Sequence, residues 1–263
     1  MSVWKDFEES SVIYLNKTFG DYANFILQGG SDSNKEDILV KRENGKDFYI
    51  EAKHSPAQCG QFVLLPNIQK QEFEYSSKNF TTINQYSQRI IDYMNSYFEE
   101  FKEAGTAGKT IEFENCENIF VSWILDYYKT KGAKFFITNQ NIIFPIEQFS
   151  EYFTVSAKYR IKRSGSSAVG NKYINNVEKY IKDNFPIKYI EKSEDKLFIA
   201  SNVNLHNKRF IIDGYEFMIS ARDDKYEIRK LSNTFNANVI FSVHLKDNKE
   251  GISITEFIKI LLS

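Results

Sequence analysis

The sequence predicts a mixed α/β (α+β) chain: a mixed central sheet with helices on its flanks, followed by a β-rich C-terminal portion. Three observations carry this. Residues 3–19 hold an apolar stripe at helical spacing, an Asn-Gly pair lies between two β-rich runs, and short strand-like runs recur between 196 and 245. At 263 residues with 42% hydrophobic content, the chain can bury a sizeable core. Its length fits one large domain or two small ones, at roughly 100–200 residues per domain. We divide it at about residue 150, into 1–150 and a β-rich 151–263 that can equally be part of one domain.

The elements follow in order. In 3–19, Trp4, Phe7, Glu8, Ser11, Val12, Leu15 and Phe19 share one helical stripe, and Gly20 closes it. Residues 24–28 form a short strand candidate. Residues 37–41 and 48–53 are strand candidates around Asn44-Gly45, a strong hairpin signal. Ile83, Tyr86, Ile90, Tyr93, Met94, Tyr97, Phe98 and Phe101 predict a long amphipathic helix over 82–103, and 104–109 reads as a loop. Residues 118–125 and 133–138 read as buried strands. A basic strand spans 153–163, a short helix lies near 171–184, and strands follow around 196–200, 208–213, 216–221, 225–229 and 238–245.

Composition excludes several classes. Twelve Gly and four Pro rule out collagen-like or long disordered stretches. A net charge of −1 excludes a uniformly basic nucleic-acid coat but leaves room for a local basic patch. Two cysteines, Cys59 and Cys116, cannot build a disulfide framework or a four-cysteine zinc site, so a reduced, cytoplasmic setting is expected. The N-terminus lacks the apolar region of a signal peptide, and no window reaches the ~18 apolar residues of a membrane span, so no membrane is expected.

The chemistry concentrates at the 37–53 hairpin. With its turn centred on Asn44-Gly45, Asp37 lies opposite Ala52, and Glu51 and Lys53, two apart, point to one face. Two carboxylates and an ammonium thus converge. Charged residues normally sit on solvated faces, but Glu51 interrupts the apolar run Phe48, Tyr49, Ile50 and Ala52, an expensive place for a charge. The polar, turn-rich segment 54–61 then suggests a sheet edge open to a ligand. Carboxylates held this close favour a hard cation such as Mg²⁺, which takes one or two carboxylates plus a phosphate oxygen. An adjacent lysine can orient the attacking water and offset charge in the transition state.

Asp37, thirteen intervening residues, then Glu51-Ala52-Lys53 resembles the PD-(D/E)XK nuclease signature, and the order of the first 140 residues is similar to that family's αβββαβ core. Residue 36 is Glu where the pattern has Pro. Size and the basic C-terminal portion most resemble type II restriction endonucleases. The resemblance implies that Asp37 and Glu51 are metal ligands with the Ala52 carbonyl, that Lys53 is the catalytic lysine, and that Mg²⁺ is the cofactor. It also implies a further acid from the first helix, for which Glu8 is the candidate because it lies on the apolar stripe. Asp32, in the loop before the strand, is the rival aspartate. Gln58 and Gln61 are placed to bond a phosphate or a base edge, or to close a polar loop. His54, His206 and His244 read as structural.

Residues 156–172 hold Lys158, Arg160, Lys162, Arg163 and Lys172 and no acid. On a strand, Lys158, Arg160 and Lys162 share one face, with Tyr159 and Ile161 behind. Ser164 and Ser166 add hydroxyls. This is the composition of a phosphate-contacting edge, although a lysine-protected edge strand shares it. Arg160 and Arg163 are the candidates for guanine edges. Asn233, Asn236 and Asn238 could read adenine and more simply form turns. The expected activity is Mg²⁺-dependent, site-specific cleavage of double-stranded DNA by a homodimer, leaving 5′-phosphates, in a system with a cognate DNA methyltransferase that need not touch it. Two other readings share these residues: a repair or junction nuclease of the same fold, and a non-catalytic DNA-binding protein.

Overall fold

The computed structural model describes residues 3–28, 37–163, 165–232 and 235–263, with the side chains of Val3, Trp4, Arg163 and Phe235 left out. Asp32, Ser164 and Asn233 lie outside the described residues. The chain runs α1 (Val3–Phe19), β1 (Asn24–Leu27), β2 (Ile38–Lys41), β3 (Phe48–Lys53), β4 (Ala57–Asn67), β5 (Glu72–Tyr75), α2 (Gln85–Ser96), α3 (Phe98–Phe101), β6 (Lys109–Thr110), α4 (Cys116–Thr130), β7 (Ala133–Thr138) and β8 (Ile142–Pro145). It continues through α5 (Phe149–Tyr152), β9 (Phe153–Arg163), β10 (Ser166–Ser167), α6 (Ile174–Asn184), β11 (Tyr189–Ser193), β12 (Lys196–Ala200), β13 (Arg209–Ile212), β14 (Tyr215–Arg222), β15 (Lys225–Leu231), β16 (Phe235–Leu245) and α7 (Ile254–Leu262). Two compact units result: 1–160 with 237–263, and 161–236. The sequence boundary at 150/151 falls within α5, and the last segment returns to the first unit.

The first unit has two sheets. One is ordered β1-β2-β3-β7-β8, with β3 parallel to β7 and the other pairs antiparallel. A parallel pair needs a crossover, and α4 lies within it. The order α1-β1-β2-β3-α4-β7 is therefore the αβββαβ arrangement implied by the resemblance, with β4, β5, α2, α3 and β6 inserted between β3 and α4. Side chains alternate across β3 and β7. Phe48, Ile50, Ala52, Phe135 and Ile137 join Leu15 and Phe19 of α1 and Phe257 and Leu261 of α7 in one buried core. Burying each such large apolar side chain contributes roughly 1.5–3 kcal/mol. The intervening residues of β3, Glu51 and Lys53, point to the opposite face. The Asn16 carboxamide, on α1, bonds both the C=O (2.8 Å) and the N–H (3.2 Å) of Phe25 and ties the helix to β1. The second sheet is ordered β5-β4-β16-β9-β6.

The second unit is an antiparallel sheet ordered β11-β12-β15-β14-β13, with β10 also on β15. Asp213-Gly214, both at positive φ, connect β13 to β14 where Ile212 pairs with Tyr215, the two-residue turn that suits the strand twist. Val177 and Ile181 of α6 pack on Leu197, Ile199, Phe217, Ile219 and Ile228.

Four sequence expectations are corrected. Residues 118–125 are not a strand: α4 covers them, with Phe120, Val121, Trp123, Ile124 and Tyr128 buried at helical spacing. A short apolar run cannot by itself tell a buried strand from a buried helix. The helix expected over 82–103 begins at Gln85, after Asn84 has formed a reciprocal capping box with Ser87, and breaks at Tyr97 before α3. The hairpin register is one residue off. Ile38 pairs with Ile50 and Val40 with Phe48, because residues 42–47 form a longer loop than a tight Asn-Gly turn. Asn236 and Asn238 lie in β16 and not in turns.

Candidate active site

Asp37 stands just before β2, and Glu51 and Lys53 end β3. Despite the register shift, the three residues meet. Asp37 Oδ2 accepts the Ala52 backbone N–H at 3.0 Å and lies 3.5 Å from Lys53 Nζ. Lys53 Nζ also pairs with the Glu51 carboxylate and donates to the Ala52 carbonyl at 3.3 Å. Asp37 and Glu51 are buried, at 8% and 5% exposure. One ammonium thus faces two buried carboxylates and a peptide oxygen.

Burial and the neighbouring Glu51 push the Asp37 carboxyl up to about 6, against pulls from Lys53 and the Ala52 N–H. Lys53 is pulled down by burial, but Glu51 and then Asp37 outweigh this and hold it well above its ordinary value. Glu8, on α1 and 7% exposed, is pushed up to about 7, by burial first and by Asp37 next. It shares with Ala52, Lys53, His54 and Phe7 the lining of an open cleft of about 420 Å³. Glu9, by contrast, is exposed and paired with Lys5.

The sequence reading missed the backing of this site. Lys53 Nζ lies 5.9 Å from the centroid of the buried Tyr128 ring, whose hydroxyl is 3.9 Å from Cys59 Sγ. Burial pushes the Cys59 thiol up to about 12, so it stays protonated and is no nucleophile. Read as a helix, 116–130 places Tyr128 one turn after Ile124 on the buried face; read as a strand, that signal is lost. Thr138 Oγ1 donates to the Lys53 carbonyl at 2.6 Å, and the Asn139 carboxamide bonds both the N–H (2.7 Å) and the C=O (2.8 Å) of Ser55.

The other candidates are placed as follows. Segment 54–61 is not a loop throughout, because β4 begins at Ala57. Gln58 pairs with Ser242 and Gln61 with Ile240, so β4 carries one extra residue there, a bulge, with Gly60 at φ +94°. The extra residue brings Gln58 and Gln61 to the same exposed side, where Gln58 Nε2 donates to Gln61 Oε1 at 3.1 Å. On β9, Lys158 and Lys162 are exposed and Arg160 partly so, while Tyr159 is buried with its hydroxyl donating to Leu64 O at 2.8 Å. Ser166 is occupied: its Oγ and carbonyl accept from Arg229, which also pairs with the buried Glu227. His54 is exposed and packs edge-on to Phe7 at 5.2 Å, and His206 Nδ1 accepts the Ala221 N–H. Among the described residues no helix is long and apolar enough to cross a membrane.

No protein-family model matches the chain, and no curated protein does. A solved structure described as HhaI endonuclease in complex with DNA at pH 6.0 is similar to it over 99% of both chains, at 42% identity and a TM-score of 0.72. The chain belongs to the HhaI endonuclease family. At that identity and coverage the likeness extends beyond the sheet around Asp37, Glu51 and Lys53 to the second unit, so residues 161–236 are a constituent of the HhaI endonuclease fold.

Proposed function

We propose that the protein is a Mg²⁺-dependent type II restriction endonuclease of the PD-(D/E)XK kind. It would cut double-stranded DNA at a specific sequence and leave 5′-phosphates and 3′-hydroxyls. One observation carries the chemistry: Asp37, Glu51 and the Ala52 carbonyl converge on a single cation, the Lys53 ammonium. Membership of the HhaI endonuclease family, whose solved member is a DNA complex, supports the substrate.

The donor set fits Mg²⁺. All three groups are hard oxygens, and two buried carboxylates face one ammonium; burial first and the Glu51 charge next raise Asp37 to about 6. Among the described residues no three His, Cys, Asp or Glu side chains cluster as ligands, so the remaining positions suit water and phosphate oxygens, as Mg²⁺ prefers. Asp37, Glu51 and Ala52 O would hold the ion; when bound it supplies an acidified water and a polarised phosphate. Lys53 orients that water and offsets charge on the pentavalent phosphorus. Glu8, across the cleft, is placed to take the proton of the attacking water.

Lys158, Arg160 and Lys162, with Arg163 and Ser164 next in sequence, would follow the DNA backbone, and Gln58 and Gln61, exposed on β4, would bond a phosphate or a base edge. Residues 161–236 also carry an excess of Lys and Arg over Asp and Glu, although the whole chain has a net charge of −1. A palindromic target implies a homodimer, and restriction implies a cognate DNA methyltransferase. The test is digestion of phage-sized unmethylated DNA with Mg²⁺ or EDTA, beside Lys53→Ala. Discrete bands that need Mg²⁺ and vanish in the variant are expected. A smear would instead indicate a structure-directed or non-specific nuclease, and intact DNA on several substrates would count against catalysis.

A further inference from the structure

We propose that Thr138, Asn139 and Ser55 are positioning residues that fix the exit of the catalytic strand and thereby hold Lys53 and the Ala52 peptide in register with Asp37. This rests on the reading of Asp37, Glu51 and Lys53 as a hydrolytic centre. The β3–β7 ladder ends at the Lys53–Thr138 rung. Beyond it, among the described residues, no strand partner holds residues 54 and 55, yet the site needs Lys53 placed closely, because its Nζ serves two carboxylates and a carbonyl at once. Side chains take over from the ladder. Thr138 Oγ1 holds the Lys53 carbonyl (2.6 Å), and the Asn139 carboxamide grips the Ser55 peptide groups as a neighbouring strand would, accepting from N–H (2.7 Å) and donating to C=O (2.8 Å). Ser55 Oγ in turn accepts the Leu245 N–H at 2.7 Å, which anchors the turn to the end of β16 in the second sheet of the same unit.

Four hydrogen bonds therefore fix Lys53 and Ser55, on either side of the strand exit. Thr138 is fully buried, so it acts on DNA through no contact of its own. A misplacement of about 1 Å at a reacting centre can cost up to ~100-fold in rate, so the clamp should appear in turnover and not in affinity.

The variants are Thr138→Val, which keeps shape and removes the hydroxyl, Thr138→Ser, which keeps the hydroxyl, and Asn139→Ala. Each is checked for an intact melting transition. Single-turnover cleavage of plasmid DNA with Mg²⁺, DNA affinity without Mg²⁺, and amide hydrogen exchange by NMR on the free protein are then compared. Expected are a fall of about tenfold or more in cleavage rate for Thr138→Val and Asn139→Ala, affinity within about twofold, and recovery in Thr138→Ser. Exchange should quicken at Ser55 and also at Ala52, whose N–H is held by Asp37. Exchange that quickens at Ser55 alone, cleavage within about twofold of wild type, or affinity lost in step with cleavage would each overturn the proposal. Should wild type leave DNA intact, the nuclease reading falls, and exchange at Ala52 judges the clamp by itself.

Discussion

Asp37→Asn should abolish cleavage and yet stabilise the metal-free protein above neutral pH. The folded-state value of Asp37 is about 6 against an ordinary 3.8. The folded protein thus holds this proton more tightly than the unfolded chain does. The associated stability is complete below about pH 4 and lost as pH rises through about 6. A difference of about two pH units corresponds to roughly 3 kcal/mol, at 1.36 kcal/mol per unit. The wild type forfeits this at pH 8, whereas asparagine has no charge to desolvate and its carbonyl oxygen can still accept the Ala52 N–H. At roughly 2–4 °C per kcal/mol for a chain of this size, the variant should melt about 6–12 °C higher at pH 8 in EDTA. That gap should narrow as pH falls below 6, to about half at pH 5, and close near pH 4. Added Mg²⁺ should raise the melting temperature of the wild type and leave the variant unmoved. Differential scanning fluorimetry at pH 5, 6.5 and 8, with and without Mg²⁺, reads all of this. A variant that melts lower than wild type at pH 8, or a gap that does not depend on pH, would refute the argument that two buried carboxylates share one ammonium.

Mg²⁺ binding should release protons and weaken at least about tenfold from pH 8 to pH 5.5, because Asp37 and Glu8 titrate at about 6 and about 7; calorimetry in buffers of different ionisation heat reads the proton count. Glu8→Gln should slow single-turnover cleavage by ~10²-fold or more with DNA affinity kept, and equal rates would remove Glu8 from the chemistry. Lys158→Gln and Lys162→Gln should each weaken DNA binding at every sequence and lower the slope of affinity against salt by about 1; an unchanged slope would return them to a solvated strand edge. Gly60→Ala should cost roughly 1–3 kcal/mol, since its Cβ would come within 2.8 Å of the buried Trp123 ring at a φ of +94°. Chemical denaturation measures it, and a neutral result would mean that the indole moves aside.

The acidic centre was legible because its evidence is local. A glutamate inside an apolar strand and a lysine two residues on share a face in any register of that strand, so the one-residue error in the hairpin did not separate them from Asp37. Glu8 was legible from its place on the apolar stripe of α1. The crossover helix was not. Its run NIFVSWIL is apolar on consecutive residues, and only the continuation through Tyr128 shows helical spacing. With α4 misread, Tyr128 behind Lys53 could not be seen. Strands β4, β8 and β11 and helix α7 were missed as well, the first because its opening residues look like turn formers. Thr138 and Asn139 act over more than 80 positions of sequence, on partners that only the parallel β3–β7 pairing brings near. No periodicity encodes that.

The extra residue in β4 has a consequence for insertions and deletions. A strand obeys parity: removing one residue ordinarily turns every later side chain over to the other face. Here the pairing sum changes by one between Gln58 and Gln61, while Cys59, Phe62 and Leu64 all stay buried. Gly60 is thus spliced into an otherwise regular ladder. Excising it alone would leave Gln58 and Gln61 outward and Cys59 and Phe62 inward. Excising Val63 would instead place Leu64 on the wrong side. A deletion at the glycine therefore shortens the strand by one residue and preserves its two faces.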